Sequence, residues 1–292
     1  MGGKTYVLSL PSQWVKKYRI QKGEELDIEE KENTIVISVD RLAVNNDLEV
    51  NFKDLNLMLG RAIGGLYKAG YTKVKVLFQN NEQFKIIEDT LHRTCVGFEI
   101  TKQDKNFVII ESLAEVKIEE FDNSIKRLFY SLELMGEDLY KGLKENDKEL
   151  LKRVVDKDSQ VNRLADFCRR VINTGETQHI IKPNVLYYVV EQLERIGDIY
   201  KKIAKYSIEH TVKKEQLVIL FDVNEFFIFH RKLFYNFNNK DLEDFGLKYN
   251  LISNKFISLN SSDFVSFNLK VLLDSLFDLN GALITRNMAQ QN

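Results

Sequence analysis

The sequence predicts a multi-domain, mainly α-helical protein with a small N-terminal β domain, a small α/β module and a C-terminal tandem three-helix bundle. Three observations predict it. Short runs of alternating apolar and polar residues occupy residues 1–45, and strand and helix patterns follow each other over 46–114. Over 115–292, apolar residues recur at steps of three and four. The length of 292 residues also favours more than one domain.

The first segment has the pattern of a small β domain. TYVLSL alternates like a strand, Pro11 can start a helical turn, WVKKYRI is a short amphipathic stretch, and ELDIEE and TIVISV read as two strands. A unit this small buries little surface alone, so we expect it to pair with a second copy in a homodimer.

The second segment alternates helices and strands. DLNLMLGRAIGGLYKAG has helical spacing and ends at Gly70, KVKVLF is a strand, and EQFKIIEDTLHRT is a helix. FEITKQDKNFVIIESL is a hairpin with its turn near Asp104. Three glycines lie within the first helix, which predicts packing positions rather than a phosphate-binding loop: Gly60, Gly64 and Gly65.

The third segment is predicted to be helical throughout. ENDKEL near residue 145 is echoed by FNNKDL, and ERIGD by DSLFD, which indicates two three-helix halves at about 115–210 and 215–292. The apolar residues that define the buried faces are Phe121, Ile125, Leu128, Leu132, Met135, Leu139 and Leu143, then Leu151, Val154, Val161, Ala165, Cys168 and Ile172, then Val189, Leu193, Ile196, Tyr200 and Ile203.

Carboxylates recur at helical spacing on these helices. Oxygen ligands at positions i and i+4 stand about 6 Å apart at Cβ, close enough to share one cation. Such residues are equally typical of a solvated helix face, so the pattern leaves both interpretations open. The candidate residues are Asp158, Asn162, Glu191, Glu194, Asp198, Asp274 and Asp278.

Composition argues against several functional classes. Net charge is −1, so the whole chain does not attract nucleic acid, and no apolar run is long enough to span a bilayer. Two isolated cysteines and four scattered histidines lack metal-ligand spacing, and the common nucleophile and phosphate-loop motifs are absent. We therefore expect a non-catalytic, cytoplasmic protein that is not membrane-embedded and has no organic cofactor.

The bundle resembles the PhoU family of phosphate-uptake regulators. That family carries an Asp-x-x-x-Asp/Asn element and then Glu-x-x-Glu-Arg-Ile-Gly-Asp, matched here by DSQVN at 158–162 and EQLERIGD at 191–198. The resemblance implies two similar three-helix halves and divalent metal, iron, zinc or magnesium, on the seven candidate residues. The second half departs from the family pattern, with Asn250 and Asn254 at the matching first-helix positions.

The N-terminal segment resembles AbrB-type (SpoVT/MazE-like) swapped-hairpin domains, through its Leu-Pro-x-x-Trp and Lys-Gly-Glu-x-Leu elements. Such domains form intertwined dimers and many bind DNA; joined to a PhoU-like bundle they give an architecture of archaeal type. The family's basic strand before Gly-Gly is missing or very short here. The basic residues either contact DNA phosphates or only keep a dimerisation hairpin in solution: Lys4, Lys16, Lys17, Arg19 and Lys22.

The two resemblances imply a regulator of phosphate uptake or phosphate signalling that acts in transcription. The alternative is a dimeric adaptor that does not bind DNA and docks on a transporter ATPase or a sensor kinase. A metal-dependent enzyme is a third, weaker hypothesis. Salt-dependent DNA binding separates the first two, and turnover that depends on Glu194 and Asp198 would identify the third.

Overall fold

The computed structural model describes residues 7–31, 34–39, 47–113, 119–174, 182–259 and 263–288. The chain divides into two compact units, Met1–Asn46 and Asp47–Asn292. Over the described residues there are nine helices and six strands, which confirms the predicted multi-domain, mainly α architecture.

The first unit consists of a short helix and a hairpin. Helix α1 spans Ser12–Tyr18, and strands β1 (Leu26–Lys31) and β2 (Thr34–Val39) pair antiparallel with Leu26 opposite Val39. Residues 7–10 of the predicted first strand have no regular structure, and residues 5 and 6 lie outside the described part. That part of the prediction was wrong: Val7, Leu8 and Ser9 are exposed, so no packing supports a strand here.

The second unit begins with an α/β module. Its four-stranded sheet has the order β3-β4-β6-β5, with β3 parallel to β4 and the other pairs antiparallel. Leu59, Ile63 and Ile87 of its two helices are fully buried in one core with Val74 and Val76 of β4. The elements are β3 (Asp47–Asn51), α2 (Leu59–Lys68), β4 (Lys73–Leu77), α3 (Asn81–Thr94), β5 (Phe98–Gln103) and β6 (Phe107–Ser112).

Two details of this module differ from the sequence prediction. Strand β3 was not predicted. Its five residues are too few to show a clear alternation of apolar and polar positions, and its partner β4 lies beyond a helix. Helix α2 begins at Leu59 rather than near Asp54. The residues before Leu59 form turns, and the side-chain amide of Gln83 donates to the carbonyl oxygens of Lys53 and Leu55 at 2.8 and 2.7 Å.

The bundle contains six helices, three in each half. The predicted apolar faces are buried in one core, with Leu143 only partly covered. Tyr200 donates to Asn224 Oδ1 (2.9 Å) and Asn224 Nδ2 donates to the Gly136 carbonyl (2.8 Å), which ties the halves together. No helix among the described residues is long and apolar enough to cross a membrane. The helices are α4 (Glu119–Glu145), α5 (Lys148–Asn173), α6 (Pro183–Ser207), α7 (Lys214–Tyr235), α8 (Asn239–Leu259) and α9 (Phe264–Met288).

The C-terminal end of α5 holds the module against the bundle. Arg170 donates to the carbonyl oxygens of Tyr67 (2.7 Å) and Tyr71 (2.9 Å), and Asn173 Nδ2 donates to that of Lys68 (2.9 Å). These contacts satisfy carbonyl groups at the end of α2, where intrahelical donors run out. Gly70 has φ +88° and lies against α5, so any side chain there would be strained and crowded.

His230 lies in the apolar core between the rings of Phe129 and Phe245, with centroids 6.3 and 5.8 Å away. It is fully buried, and neither ring nitrogen has a hydrogen-bond partner among the described residues. Burial lowers the pKa of His230 from 6.5 to about 3. The imidazole is therefore neutral in the folded protein at any physiological pH.

This burial predicts an acid-sensitive core. The folded-state pKa lies below the unfolded one, so protons bind the unfolded chain preferentially as pH falls below about 6.5. We expect wild type to lose about 1.4 kcal/mol of unfolding free energy per pH unit relative to His230→Leu between about pH 6 and 4. Urea denaturation at several pH values measures the two slopes. Parallel slopes would contradict the prediction, because all other titrating groups are shared.

Candidate functional site

The predicted carboxylates of the first half surround a buried arginine. Arg169 is 1% exposed and extends from α5 towards α6. Its Nη1 donates to Asp166 Oδ1 at 2.7 Å and its Nη2 donates to Glu194 Oε2. Its Nε lies 2.5 Å from Glu191 Oε1 without hydrogen-bond alignment. One guanidinium therefore contacts three carboxylates from two helices.

The charges of this cluster depend on each other. Burial raises the pKa of Asp166, while Lys68 and Arg169 lower it in part. Burial lowers the pKa of Arg169, but Glu194, Glu191 and Asp166 outweigh that effect and leave it raised. The surroundings thus hold the guanidinium in its charged form.

A second cation lies beside the remaining predicted residues. Lys201 Nζ donates to Asp158 Oδ2 at 2.6 Å and lies 3.5 Å from Asp198 Oδ1. Asn162 Nδ2 donates to the same Asp158 oxygen at 3.2 Å. Burial raises the pKa of Asp158, and the hydrogen bond from Lys201 opposes this. Asp158 Oδ1 and Asn162 Oδ1 are buried with no hydrogen-bond partner among the described residues.

Helical periodicity explains why these side chains meet. Asp158, Asn162, Asp166 and Arg169 recur at steps of four, four and three on α5, and Glu191, Glu194, Asp198 and Lys201 at steps of three, four and three on α6. Each series therefore follows one side of its helix. The two helices pack directly together, so the two polar sides form one continuous strip.

The α/β module provides a second wall for this strip. A groove of about 820 Å³ lies between α2 and α3 of the module and α5 and α6 of the bundle. Lys68 of α2 crosses it and lies 3.6 Å from Asp166 Oδ1. Asn162, Glu191, Glu194 and Asp198 line the bundle wall. Four of the five predicted residues of the first half therefore line a groove between two parts of one compact unit, and Asp158 does not line it.

The predicted residues of the second half are not part of this groove. Asp274 of α9 accepts hydrogen bonds from Lys270 and from the Tyr249 hydroxyl, the latter at 3.0 Å. Asp278 is exposed one turn later. Neither residue lines the groove, so the seven predicted residues lie at two separate places.

The arrangement limits how a metal could bind. Among the described residues, no three Asp, Glu, His or Cys side chains are placed to hold a metal ion together. Arg169 and Lys201 already neutralise most of the motif carboxylates. Asp158 Oδ1 and Asn162 Oδ1 are buried without a hydrogen-bond partner among the described residues, and Asp198 lies 3.5 Å from Lys201. This incomplete set fits a cation only if other ligands complete its coordination. Metal binding at the seven residues stays a prediction.

The predicted DNA-contacting residues lie around α1. Lys16, Lys17, Arg19 and Lys22 are all exposed, and Lys4 lies outside the described residues. Arg19 ends the helix in the left-handed conformation with φ 51°. These four side chains carry positive charge on a short, exposed segment, which suits contact with phosphates but does not specify it.

Sequence reasoning missed the cations that organise the cluster. Arg169 and Arg170 lie between the apolar pairs Phe167-Cys168 and Val171-Ile172, which is the signal that could have identified them as buried. Arg61 and Arg93 of the module line the groove but lie far from the motif in sequence. No pattern in either segment indicates that the module packs over the motif.

Two family models match separate parts of the chain. Residues 125–207 match the PhoU domain, so the predicted resemblance is confirmed over the first three-helix half. Residues 1–41 match the family described as antidote-toxin recognition MazE, bacterial antitoxin, which covers the predicted AbrB-type segment. No curated protein matches the chain, and no solved structure does.

The buried arginine predicts a stability effect. Arg169→Gln leaves three carboxylates without their shared cation, and we expect the unfolding free energy to fall by about 2–3 kcal/mol. Urea denaturation measures the loss. The matched control is Arg163→Gln, an exposed arginine on the same helix, which should change stability by less than about 0.5 kcal/mol. Equal effects of the two substitutions would show that the Arg169 contacts do not hold the helices together.

Proposed function

We propose that this chain is a non-enzymatic, homodimeric regulator of phosphate uptake or phosphate signalling that acts in the cytoplasm. The N-terminal unit dimerises and binds DNA, and the PhoU-domain bundle receives the signal or docks a partner protein. One observation carries the proposal: a hairpin unit that begins with a basic segment, and in which no described side chain is buried, stands on the same chain as a segment that matches the PhoU domain.

The need for a partner copy follows from the first unit. None of its described side chains is buried. The pairing of β1 with β2 puts Ile28 and Ile35 on the same face of the hairpin, and they are 69% and 66% exposed. A two-stranded hairpin is marginally stable alone, and a second copy would cover these residues. Dimerisation is therefore the first element of the proposal.

DNA binding is the second element and rests on charge. The segment before Glu24 carries five basic residues and no acidic one, whereas the whole chain has a net charge of −1. A homodimer would double this cationic surface. Each phosphate contact releases close to one counterion, which makes such binding strongly salt-dependent.

The bundle is the proposed sensing or docking part. Its motif carboxylates are fixed by ion pairs to Arg169 and Lys201, and Glu191 and Asp198, with side chains 45% and 42% exposed, are the ones that a protein partner could contact. A transporter ATPase and a sensor kinase are the partner classes that the family resemblance implies. If the N-terminal unit binds no DNA, the chain is an adaptor that uses the same two parts.

The divalent metal is the third element. Asp158 and Asn162, each with a buried oxygen that has no hydrogen-bond partner among the described residues, would contribute a carboxylate and an amide oxygen, and Asp198 a second carboxylate. These hard ligands suit magnesium better than iron or zinc. Water or a bound ligand would have to supply the remaining positions.

Charged substitutions test the dimer. Ile28→Lys/Ile35→Lys puts like charges on the face that two copies would share, and we expect the full chain to become monomeric. Light scattering coupled to size exclusion measures the mass. Gln21→Lys, at an exposed position, adds charge away from that face and should stay dimeric. A monomeric wild type, or a double variant that remains dimeric, would contradict this interface.

Neutral substitutions test DNA binding. Fluorescence anisotropy with duplex DNA over a salt series should give a salt slope for the wild type that falls by about 0.9 for each phosphate interaction that Lys16→Gln/Lys17→Gln/Arg19→Gln removes. The matched control neutralises three exposed cations of the bundle through Lys141→Gln/Lys148→Gln/Arg153→Gln. Equal effects of the two triple variants, or no binding by wild type, would favour the adaptor.

A further inference from the structure

Helix α8 carries apolar side chains on two opposite sides. Phe245 and Ile252 are buried in the bundle core. Leu247, Leu251 and Ile257 point away from that core and are 53%, 65% and 79% exposed. A helix that is apolar all round is normally buried all round. Among the described residues, no element covers this outer side of α8.

The matching helix of the first half has no such surface. Every exposed residue of α5 is polar or charged, as Arg153 and Arg163 are. In α8 the positions that match the motif pair of α5 are Asn250 and Asn254, and both are exposed on the outer side. The outer side of α8 therefore combines apolar residues with uncharged amides, which is not the composition of an ordinary solvated helix face.

Four outer residues of α8 have the spacing of a seam between two helices. They are Leu247, Asn250, Asn254 and Ile257. Their steps of three, four and three are those of the a and d positions of a coiled coil, and Leu251 flanks them. An asparagine at such a position fixes the register of two helices at a cost in stability. We call these four residues the outer row.

The outer row is complementary to itself in the antiparallel direction. When the α8 helices of two copies run antiparallel about a twofold axis, Leu247 of one copy lies beside Ile257 of the other. Asn250 then lies beside Asn254 of the other copy, and each amide can both donate and accept a hydrogen bond. Every contact occurs twice, as in the isologous interface of a twofold dimer. Apolar side chains therefore meet apolar ones and amides meet amides.

The charges next to the outer row favour a second copy over other partners. Lys255 pairs with Asp222 of α7, and Lys248 Nζ lies 4.9 Å from the ring centroid of Phe229 on α7. These cations are directed towards α7, whereas an anionic lipid surface attracts basic residues around an apolar face. The row itself has no charge to complement a charged protein. An uncharged row fits its own copy, because two identical charged faces would repel each other.

We propose that α8 joins two copies of this chain through an antiparallel contact between their outer rows. Leu247 and Ile257 are ten residues apart, so the row is about 15 Å long. Stable interfaces bury about 800 Å² on each partner, and this contact is smaller, so we expect a weak, concentration-dependent association. The inference goes beyond the proposed function, because the contact requires neither DNA nor the N-terminal hairpin.

Disulfide trapping on the full chain tests the contact. Leu247→Cys/Ile257→Cys brings cysteines of two copies side by side only in the antiparallel register. Mild oxidation at high protein concentration should convert most of this variant into a covalent dimer on a denaturing, non-reducing gel. Either single variant should run as a monomer, because like positions of the two copies are about 15 Å apart. The two native cysteines, Cys95 and Cys168, are buried.

A matched cysteine pair measures random collision. Arg153→Cys/Arg163→Cys has the same ten-residue spacing at exposed positions of α5, and it should form far less covalent dimer.

Added charge tests the row itself. Asn250→Asp/Asn254→Asp, combined with the cysteine pair of α8, places four carboxylates in the contact and should reduce the covalent dimer by about tenfold. Asn123→Asp/Asn184→Asp adds the same charge at exposed positions of α4 and α6 and should leave the dimer unchanged. All these substitutions are at exposed positions, so equal melting temperatures check that the fold is kept.

Three results would overturn the proposal. They are a covalent dimer no more abundant than that of the α5 control, single variants that cross-link as well as the pair, and an unchanged dimer in the aspartate variant. The light-scattering test of the hairpin uses other residues and fails separately. A chain that is dimeric by mass but is not trapped at α8 keeps the hairpin dimer and lacks this contact. A chain that is trapped at α8 while the hairpin does not dimerise shows the reverse.

Discussion

Two consecutive buried arginines on α5 determine how the second unit is put together. Neighbouring residues on a helix point about 100° apart, so Arg169 reaches α6 and Arg170 reaches the end of α2. Arg170 has no carboxylate partner among the described residues. Carbonyl oxygens and the ring faces of Tyr67 and Phe98, 4.9 and 5.3 Å away, stabilise its charge instead. Two neighbouring residues of α5 thus make contacts within the bundle and contacts between the bundle and the module.

This arrangement changes what the motif carboxylates do. A buried charge is costly unless it is paired. The three carboxylates therefore stabilise the buried guanidinium of Arg169, and the guanidinium in turn stabilises their negative charges. Acidic residues that would otherwise repel each other are thereby fixed in the gap between two helices. Asp158 and Asn162 differ from these acids, because each keeps a buried oxygen without a hydrogen-bond partner among the described residues.

The module adds chemistry that the bundle lacks. The described bundle residues of the groove give one wall that is mainly anionic, and the module supplies Arg61, Lys68 and Arg93 together with Asp89 opposite it. The first unit, by contrast, contributes exposed cationic side chains around α1 and a hairpin with the exposed apolar residues Ile28 and Ile35. The bundle, the module and the first unit thus contribute different chemistry to the chain.

The sequence by itself determined the bundle, because its long amphipathic helices show the three-four pattern that burial requires. Phe121 to Ile203 could be assigned to a core from spacing alone. The motif on 158–162 and 191–198 was equally visible, since helical periodicity aligns its carboxylates. Tertiary structure decided what these carboxylates contact. Arg169, Lys201, Arg61 and Arg93 come from four helices, and their distances to the acids depend on packing between helices that local pattern does not encode. For the same reason the short strand β3, the open space over Gly64, whose predicted packing role was wrong, and the groove itself emerged only when distant segments were brought together.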